Sequence, residues 1–179
     1  MRIVANTPEA YLARVEISDA RISSHCVLGP PDDEKPFISP GFMDIQLNGF
    51  AGVDFSNPNL SPEKAISILP PLWKTGVTTF YPTLITNSHE RLLRSFRVLE
   101  EARRIDARFA WAAPGYHLEG PYLSPGNARG AHDPKLMRVP DWNEFRELLE
   151  TAGCASGSSP WHQSCRELWT SSAERVTPG

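Results

Sequence analysis

The chain has 179 residues and a net charge of −3, and its 40% hydrophobic and 22% charged residues are the balance of an ordinary globular protein. This small negative charge supplies no basic field for nucleic acid or anionic lipid, and no apolar run approaches the roughly 20 residues of a membrane helix. Composition therefore favours a protein that binds neither nucleic acid nor membrane and that has enough apolar material for a core.

The cysteines and the first residues indicate the compartment. Cys26, Cys154 and Cys165 form no CxxC pair and no even-numbered framework, which is typical of free thiols in a reducing environment. The opening MRIVANTPEAYLARVEIS lacks the charged-then-apolar layout of a secretory signal. The sequence thus predicts a cytoplasmic protein.

The apolar pattern predicts strands that alternate with helices. Val15, Ile17 and Ile22 alternate with polar residues and indicate one or two strands, which end before the proline-rich and charged loop GPPDDEKP. The elements predicted after this loop are a strand at 41–48, a helix at 61–74, a strand at 77–85, a helix at 88–104, a strand at 110–119 and a helix at 141–151.

Proline, glycine and acidic residues refine the predicted helices. The first helix has Glu63 in its first turn, Pro70–Pro71 must break or kink it, and Gly76 ends it. Asp141 is the expected N-cap of the last helix. The middle helix places five apolar residues on one face: Leu92, Leu93, Phe96, Leu99 and Ala102.

This alternation predicts right-handed βαβ crossovers and an α/β fold with a parallel sheet, either open or closed into a barrel. In both architectures the functional side is the carboxyl end of the strands. The polar residues at the three predicted strand ends are Gln46 and Asn48, Thr83 and Thr86, and His117 and Glu119. Residues two apart on a strand face the same way, so we expect these side chains to meet at one rim.

Glu119 is the most informative of these residues, because a carboxylate at a buried strand end is costly without a compensating partner. A divalent metal would compensate it, and so would loop amides or an arginine such as Arg129. His117 could be a ligand, a substrate contact or a packed core imidazole. Gln46 and Asn48 taken alone could be turn-forming residues. The pattern leaves these alternatives open.

The glycine-rich loop ARGAHDP follows the third predicted strand. His132 could close over a ligand there, and Arg129 suits an anion such as a phosphate, although exposed loop residues of this kind often do neither. Other chemistries fit less well, since Ser124 lacks a nucleophile elbow and no cysteine has a recognisable histidine partner. No phosphate-binding P-loop motif occurs either.

Three segments, PGFMDIQLNGFAGVDFS, GVTTFYPTLIT and GYHLEGPYLSPGNARGAHDP, together resemble the N-terminal half of the N-acetylglucosamine-6-phosphate deacetylases, a family of the amidohydrolase superfamily. The resemblance runs from Ile38 to Gly153, and its specific part is HLEGP followed by GAH. Most amidohydrolases carry His-x-His at the end of the first strand, whereas this chain has Gln46-x-Asn48, as this deacetylase family does.

The resemblance implies hydrolysis of the acetamide of N-acetylglucosamine 6-phosphate, which yields glucosamine 6-phosphate and acetate. It implies one divalent metal ion, zinc or similar, with Glu119 as a ligand, and a sugar-phosphate substrate that contacts Ala131 and His132. Family members are often homo-oligomers. The residues expected to support the site are Gln46, Asn48, His117 and Arg129.

The family fold is a (β/α)8 barrel with a small β-sandwich built from both termini. The resemblance therefore implies a remnant of the sandwich at residues 1–38 and an incomplete barrel of about three βα units at residues 39–157. The family's general-base aspartate and two further histidine ligands lie on later strands. We expect a truncated and inactive copy whose open sheet edges favour aggregation. The alternative is a non-catalytic fragment that binds or regulates a full-length homologue.

Residues 158–179 show no strand pattern and little helical pattern, although a family strand containing Val-Thr-Leu-Ala-Pro-Glu belongs near this point. A reading frame shifted by two bases from Ser158 onward can spell Val-Thr-Leu-Ala-Pro-Glu-Leu-Pro-Gly-Ala. Our hypothesis is an aberrant, frameshifted tail, and the alternative is a genuine divergent one. Sequencing the coding DNA beyond codon 157 should reveal family-like residues in the shifted frame. An immediate stop codon or unrelated residues there would reject the frameshift.

Overall fold

The computed structural model of the chain describes residues 1–124, 126 and 129–153. These residues divide into two units, Met1–Gly41 and a second that begins at Phe42. The predicted aberrant tail at 158–179 lies outside the described residues, as do Cys154 and Cys165, while Cys26 is an exposed free thiol. No helix within the described ranges is both long enough and apolar enough to cross a bilayer.

The first unit is an antiparallel sheet of three strands in the order β1 (Arg2–Asn6), β2 (Leu12–Ser18) and β3 (Arg21–Gly29). The turn between β2 and β3 has positive φ at both Asp19 and Ala20, which matches the right-handed twist of a hairpin. The strands predicted around Val15 to Ile22 are confirmed, but β1 was missed because its apolar run does not alternate. That this unit is a sandwich remnant remains a prediction.

The second unit contains the elements that position the site. In chain order they are β4 (Phe42–Leu47), β5 (Gly49–Phe50), β6 (Val53–Asp54), α1 (Pro62–Ile66), α2 (Leu69–Trp73), β7 (Val77–Ile85), α3 (His89–Ile105), α4 (Ala107–Ala112), β8 (His117–Glu119) and α5 (Trp142–Thr151). Strands β4, β7 and β8 form a parallel sheet in that order, which confirms the predicted parallel arrangement. Strands β5 and β6 form a separate short hairpin directly after β4.

The strand predicted at 110–119 is wrong in its first half. Residues Ala107–Ala112 form α4, because the Asp106 side chain accepts hydrogen bonds from the backbone N–H groups of Arg108 and Phe109 and so caps a helix. The side-chain hydrogen bond from Arg108, the backbone N–H groups of Arg108 and Phe109 and the charge of Arg108 together lower the pKa of the Asp106 carboxyl to about 2, so the cap stays ionised. The strand itself is only His117–Glu119.

The helix predicted at 61–74 is two short helices. Ser61 caps α1 by accepting a hydrogen bond from the Lys64 backbone N–H. The chain breaks at Ser67 and Ile68, before Pro70–Pro71, and these prolines lie in the first turn of α2, where a missing N–H removes no helical hydrogen bond. The predicted break in the helix is therefore observed, and the prolines in addition start the second helix.

A single apolar core lies behind the parallel sheet of the second unit. Phe80 of β7 is fully buried in this core, and its ring centroid lies 6.3 Å from that of Phe55 and 5.8 Å from that of Phe109. The predicted apolar face of α3 is confirmed, since all five of its residues are buried: Leu92, Leu93, Phe96, Leu99 and Ala102. Aromatic packing of this kind holds β7 and its neighbouring helices in place.

Strand β4 forms an apolar edge of the sheet. Within the described residues it pairs with β7 alone, and Met43 and Ile45 on one of its faces are 59% and 69% exposed. Phe42, at the start of the strand, is also exposed. An exposed apolar edge strand is a template for pairing with another chain.

We expect the double substitution Met43→Lys with Ile45→Lys to reduce self-association of the chain, because charges on an edge strand oppose strand pairing. Sedimentation velocity over a concentration series measures the change. Val139→Lys is the control, since Val139 is 84% exposed but lies outside every strand. Equal association of the parent and the double variant would exclude this edge as the route of association.

Candidate functional site

The register of the parallel strands brings three chain segments together at the carboxyl end of the sheet, which we call the carboxyl edge. Thr83 pairs with His117 and Ile85 pairs with Glu119, so β7 and β8 end side by side. Leu47, the last residue of β4, pairs with Pro82 of β7. The carboxyl ends of parallel strands are where α/β proteins bind ligands, so this edge is the place to look for a site.

Glu119 is the centre of this edge. Its Oε2 accepts a hydrogen bond from Nδ2 of Asn48 at 3.3 Å, and its Oε1 lies 3.4 Å from Nε2 of His132. Both Glu119 and His132 are partly buried. An amide that follows β4, a carboxylate that ends β8 and a loop imidazole thus converge within hydrogen-bonding reach.

Thr86 connects the backbone of this edge to the His132 ring. Its Oγ1 lies 2.9 Å from Nδ1 of His132 and 3.4 Å from the backbone oxygen of Glu119, and the residue is only 5% exposed. Thr86 was predicted to lie at a strand end, but no specific role was predicted for it. Its signal was that position, directly after the buried strand β7.

Gly120 allows the chain to pass Thr86. Its φ is +94°, and a Cβ at this position would lie 2.0 Å from Thr86 Oγ1. Glycine is therefore required both by the backbone conformation and by the close approach. Strand β8 therefore ends at Gly120, where the Thr86 hydroxyl occupies the space that a Cβ of residue 120 would need.

Comparison with curated proteins links the chain to a family. The N-acetylglucosamine-6-phosphate deacetylase of Danio rerio is 37% identical over 124 residues, a match covering 68% of this chain and 30% of that protein. The deacetylase of Caenorhabditis elegans is 38% identical over 111 residues, covering 59% of this chain and 26% of that protein. The chain thus spans less than a third of the length of these relatives.

Solved structures agree with the sequence matches. The N-acetyl-D-glucosamine-6-phosphate deacetylase of Mycobacterium smegmatis superimposes with a TM-score of 0.68 at 28% identity over 86% of this chain and 44% of its own. A mutant of that enzyme in complex with N-acetyl-D-glucosamine-6-phosphate gives a TM-score of 0.67 at the same identity. The chain is a homologue of the N-terminal part of the N-acetylglucosamine-6-phosphate deacetylases. No protein-family model matches it.

Two residues expected to support a deacetylase site make no side-chain hydrogen bond within the described residues. The Nδ1 atom of His117 is buried without a partner there. The neighbouring Thr83 hydroxyl donates to the Tyr81 carbonyl at 3.1 Å rather than to this ring. Gln46 is exposed, and its backbone N–H donates to Asp44 Oδ1 at 3.0 Å. Their roles in the site remain predictions.

The loop residues Arg129 and Ala131 lie beside His132. The Arg129 backbone oxygen accepts a hydrogen bond from the His132 N–H at 3.4 Å, and Ala131 is exposed. No ion pair joins Arg129 to Glu119 among the described residues. The carboxylate is compensated by Asn48 and His132, and the proposed alternative in which Arg129 compensates it is not observed.

Arg138 fastens the loop that carries His132. Its guanidinium donates to the Asn87 backbone oxygen at 2.9 Å, directly after Thr86, and its Nε donates to Glu144 Oε1 at 2.8 Å. The hydrogen bonds and charge of Arg138 lower the pKa of the Glu144 carboxyl. This contact therefore persists at neutral pH and weakens only when acid protonates Glu144.

The described residues do not form a metal site by themselves. Zinc in catalytic sites takes about three protein ligands, and no group of three His, Cys, Asp or Glu residues within the described ranges could hold a metal ion. Glu119 offers a single carboxylate with a hard oxygen, which suits a divalent cation as one ligand among several. Any remaining ligands would have to come from outside the described residues.

We expect Gly120→Ala to destabilise the second unit more than Gly52→Ala does. Both glycines have positive φ, at +94° and +80°, so both variants incur a left-handed strain of roughly 1–2 kcal/mol. Only at Gly120 does the new Cβ meet the Thr86 hydroxyl, whereas nothing lies within 4 Å at Gly52. Urea unfolding of both variants measures the difference. Equal losses would show that Thr86 yields freely and that this contact is not a constraint.

Proposed function

We propose that the edge formed by Asn48, Thr86, Glu119 and His132 is part of the site of a deacetylase that hydrolyses the acetamide of N-acetylglucosamine 6-phosphate to glucosamine 6-phosphate and acetate. The observation that carries the proposal is the position of Glu119, which ends a parallel strand and contacts both Asn48 and His132. The names of the homologous proteins support the reaction class, and the sugar-phosphate complex of the Mycobacterium smegmatis mutant supports the substrate class.

Glu119 would be one ligand of a single divalent metal ion. Such an ion, when bound, would polarise the amide carbonyl and lower the pKa of a water molecule. Asn48 orients the carboxylate, because its Nδ2 donates to Oε2 and leaves Oε1 on the His132 side. His132, Ala131 and Arg129 belong to one loop, and we assign the contacts with the sugar phosphate to this loop.

The two units fit a piece of an amidohydrolase. We propose that residues 39–157 form about three βα units of a (β/α)8 barrel and that residues 1–38 belong to its small β-sandwich. The parallel order of β4, β7 and β8 and the 44% coverage of the Mycobacterium smegmatis enzyme support this assignment. We further propose cytoplasmic location, because the three cysteines form no CxxC pair and no even-numbered framework, and homo-oligomer formation by family resemblance.

We propose that the chain alone is inactive, because its described residues provide one carboxylate where a metal needs several ligands. A second candidate function is favoured by the exposed apolar edge of β4, which could pair with a full-length homologue and regulate it. A mixing experiment distinguishes these two candidate functions. A regulatory fragment changes the rate of the Danio rerio deacetylase when added to it, and an inactive copy does not.

We expect the purified chain with zinc and N-acetylglucosamine 6-phosphate to release no acetate above background. A chimera of the Danio rerio deacetylase that carries residues 42–153 of this chain in place of the matched segment should release acetate. Glu119→Gln in the chimera should lower kcat by more than about 100-fold, beyond the roughly 10–100-fold typical of losing a residue that only orients a ligand.

Glu101→Gln in the same chimera is the matched control, because Glu101 carries the same charge on the exposed side of α3, where it pairs with Arg104. Acetate release by the chain alone would contradict the proposed inactivity. Full activity of the Glu119→Gln chimera would contradict the metal-ligand role of Glu119.

A further inference from the structure

The Thr86 hydroxyl lies between an imidazole nitrogen and a carbonyl oxygen, and it has one proton to donate. His132 Nδ1 is 2.9 Å from Thr86 Oγ1, and the Glu119 backbone oxygen is 3.4 Å from it. Hydroxyl donors form their bonds at about 2.5–3.0 Å. The shorter contact is therefore the more favourable place for the proton, whereas the 3.4 Å contact to the Glu119 carbonyl would be a weak hydrogen bond.

An imidazole whose Nδ1 accepts a hydrogen bond carries its proton on Nε2 when the ring is neutral. His132 Nε2 faces Glu119 Oε1 at 3.4 Å, and an ionised carboxylate only accepts. An Nε2–H group is attracted to that oxygen, whereas an Nε2 lone pair would be repelled by it. In a neutral ring, the contacts at its two ends thus favour the same tautomer.

We propose that Thr86 is a positioning residue that holds His132 in the Nε2–H form, so that His132 presents a hydrogen-bond donor to the site and is not a metal ligand. A metal-binding histidine must offer a lone pair, and it usually donates its other N–H to an acceptor. That arrangement would require Thr86 to pass its own proton to the Glu119 carbonyl across 3.4 Å.

The surroundings limit other positions of the Thr86 hydroxyl. Thr86 is 5% exposed, and Gly120 packs so closely that a Cβ there would lie 2.0 Å from the hydroxyl oxygen. Arg138 holds the backbone oxygen of Asn87, the next residue, at 2.9 Å. The hydroxyl is thereby kept against the His132 ring and shielded from water.

The consequence for chemistry rests on the proposed function. An Nε2–H donor beside Glu119 is suited to bind an oxygen atom of the substrate, either the acetamide carbonyl or a phosphate oxygen. It would also stabilise negative charge that develops on that atom. A lone pair at Nε2 could do neither, so the tautomer decides whether His132 binds substrate or metal.

The test is ¹⁵N NMR of the imidazole nitrogens in the intact chain, at a pH well above the ordinary histidine pKa of about 6.5. His132→Gln identifies the His132 signals. We expect a protonated Nε2 and an unprotonated, hydrogen-bonded Nδ1 in the parent chain. Thr86→Val should move both signals toward tautomer-averaged values, and Thr86→Ser should restore them.

Thr83→Val is the matched control, because Thr83 is also buried in the same segment but donates to the Tyr81 carbonyl. It should leave the His132 signals unchanged. A protonated Nδ1 in the parent chain would overturn the proposal, as would unchanged signals in Thr86→Val.

The same NMR measurement after addition of zinc provides a second test. Zinc that converts Nε2 of His132 to a coordinated, unprotonated nitrogen would also overturn the proposal. If Thr86→Val does not fold, the parent spectrum and Thr86→Ser still decide. The NMR experiment contains no substrate, so its result does not depend on the proposed function. If the chimera fails to release acetate, the proposed function is rejected but the tautomer result still stands.

Discussion

The alignment of β8 against β7 is the constraint on which the candidate site depends. Ile85 and Glu119 are register partners, so the loop that follows β7 begins beside the carboxylate that ends β8. Asn48 and Glu119 are 71 residues apart in the chain, yet their side chains meet because both follow the carboxyl ends of parallel strands. A shift of one residue in β8 would turn Glu119 to the other face and separate all of these groups.

Close packing at Gly120 also fixes the position of the Thr86 hydroxyl and therefore the group to which it donates its proton. The glycine allows the backbone to turn against Thr86, and the buried hydroxyl is then held between an imidazole nitrogen and a carbonyl oxygen. In water such a hydroxyl would exchange partners freely. In a buried setting the shorter contact decides which group receives the proton, because an unsatisfied donor is costly there.

The small number of candidate metal ligands and the exposed β4 edge both follow from the small number of strands in the described sheet. A parallel sheet of three strands has two outer strands, and within the described residues β4 and β8 each pair only with β7. The same short sheet brings a single carboxylate to its carboxyl edge, with too few ligands for a metal. The Mycobacterium smegmatis structure is more than twice the length that this chain covers.

Local signals in the sequence determined much of the second unit. Ser61 and Asp141 cap the helices that they were expected to begin, β7 has the predicted bounds, and the buried face of α3 has the predicted residues. The 107–112 segment was misassigned because an apolar, alanine-containing run fits a strand or a buried helix equally well. Only the Asp106 cap and the burial of Phe109 resolve that ambiguity.

For the candidate site, the sequence by itself determined the residue types and which strand ends carry them, because motif and periodicity are local properties. Tertiary structure alone decided which of these groups meet. It placed Asn48 and His132 on Glu119, excluded Arg129 from that carboxylate, and brought the Thr86 hydroxyl to the imidazole. The reason is that such contacts depend on strand register and on distances of a few tenths of an ångström, which no local pattern encodes.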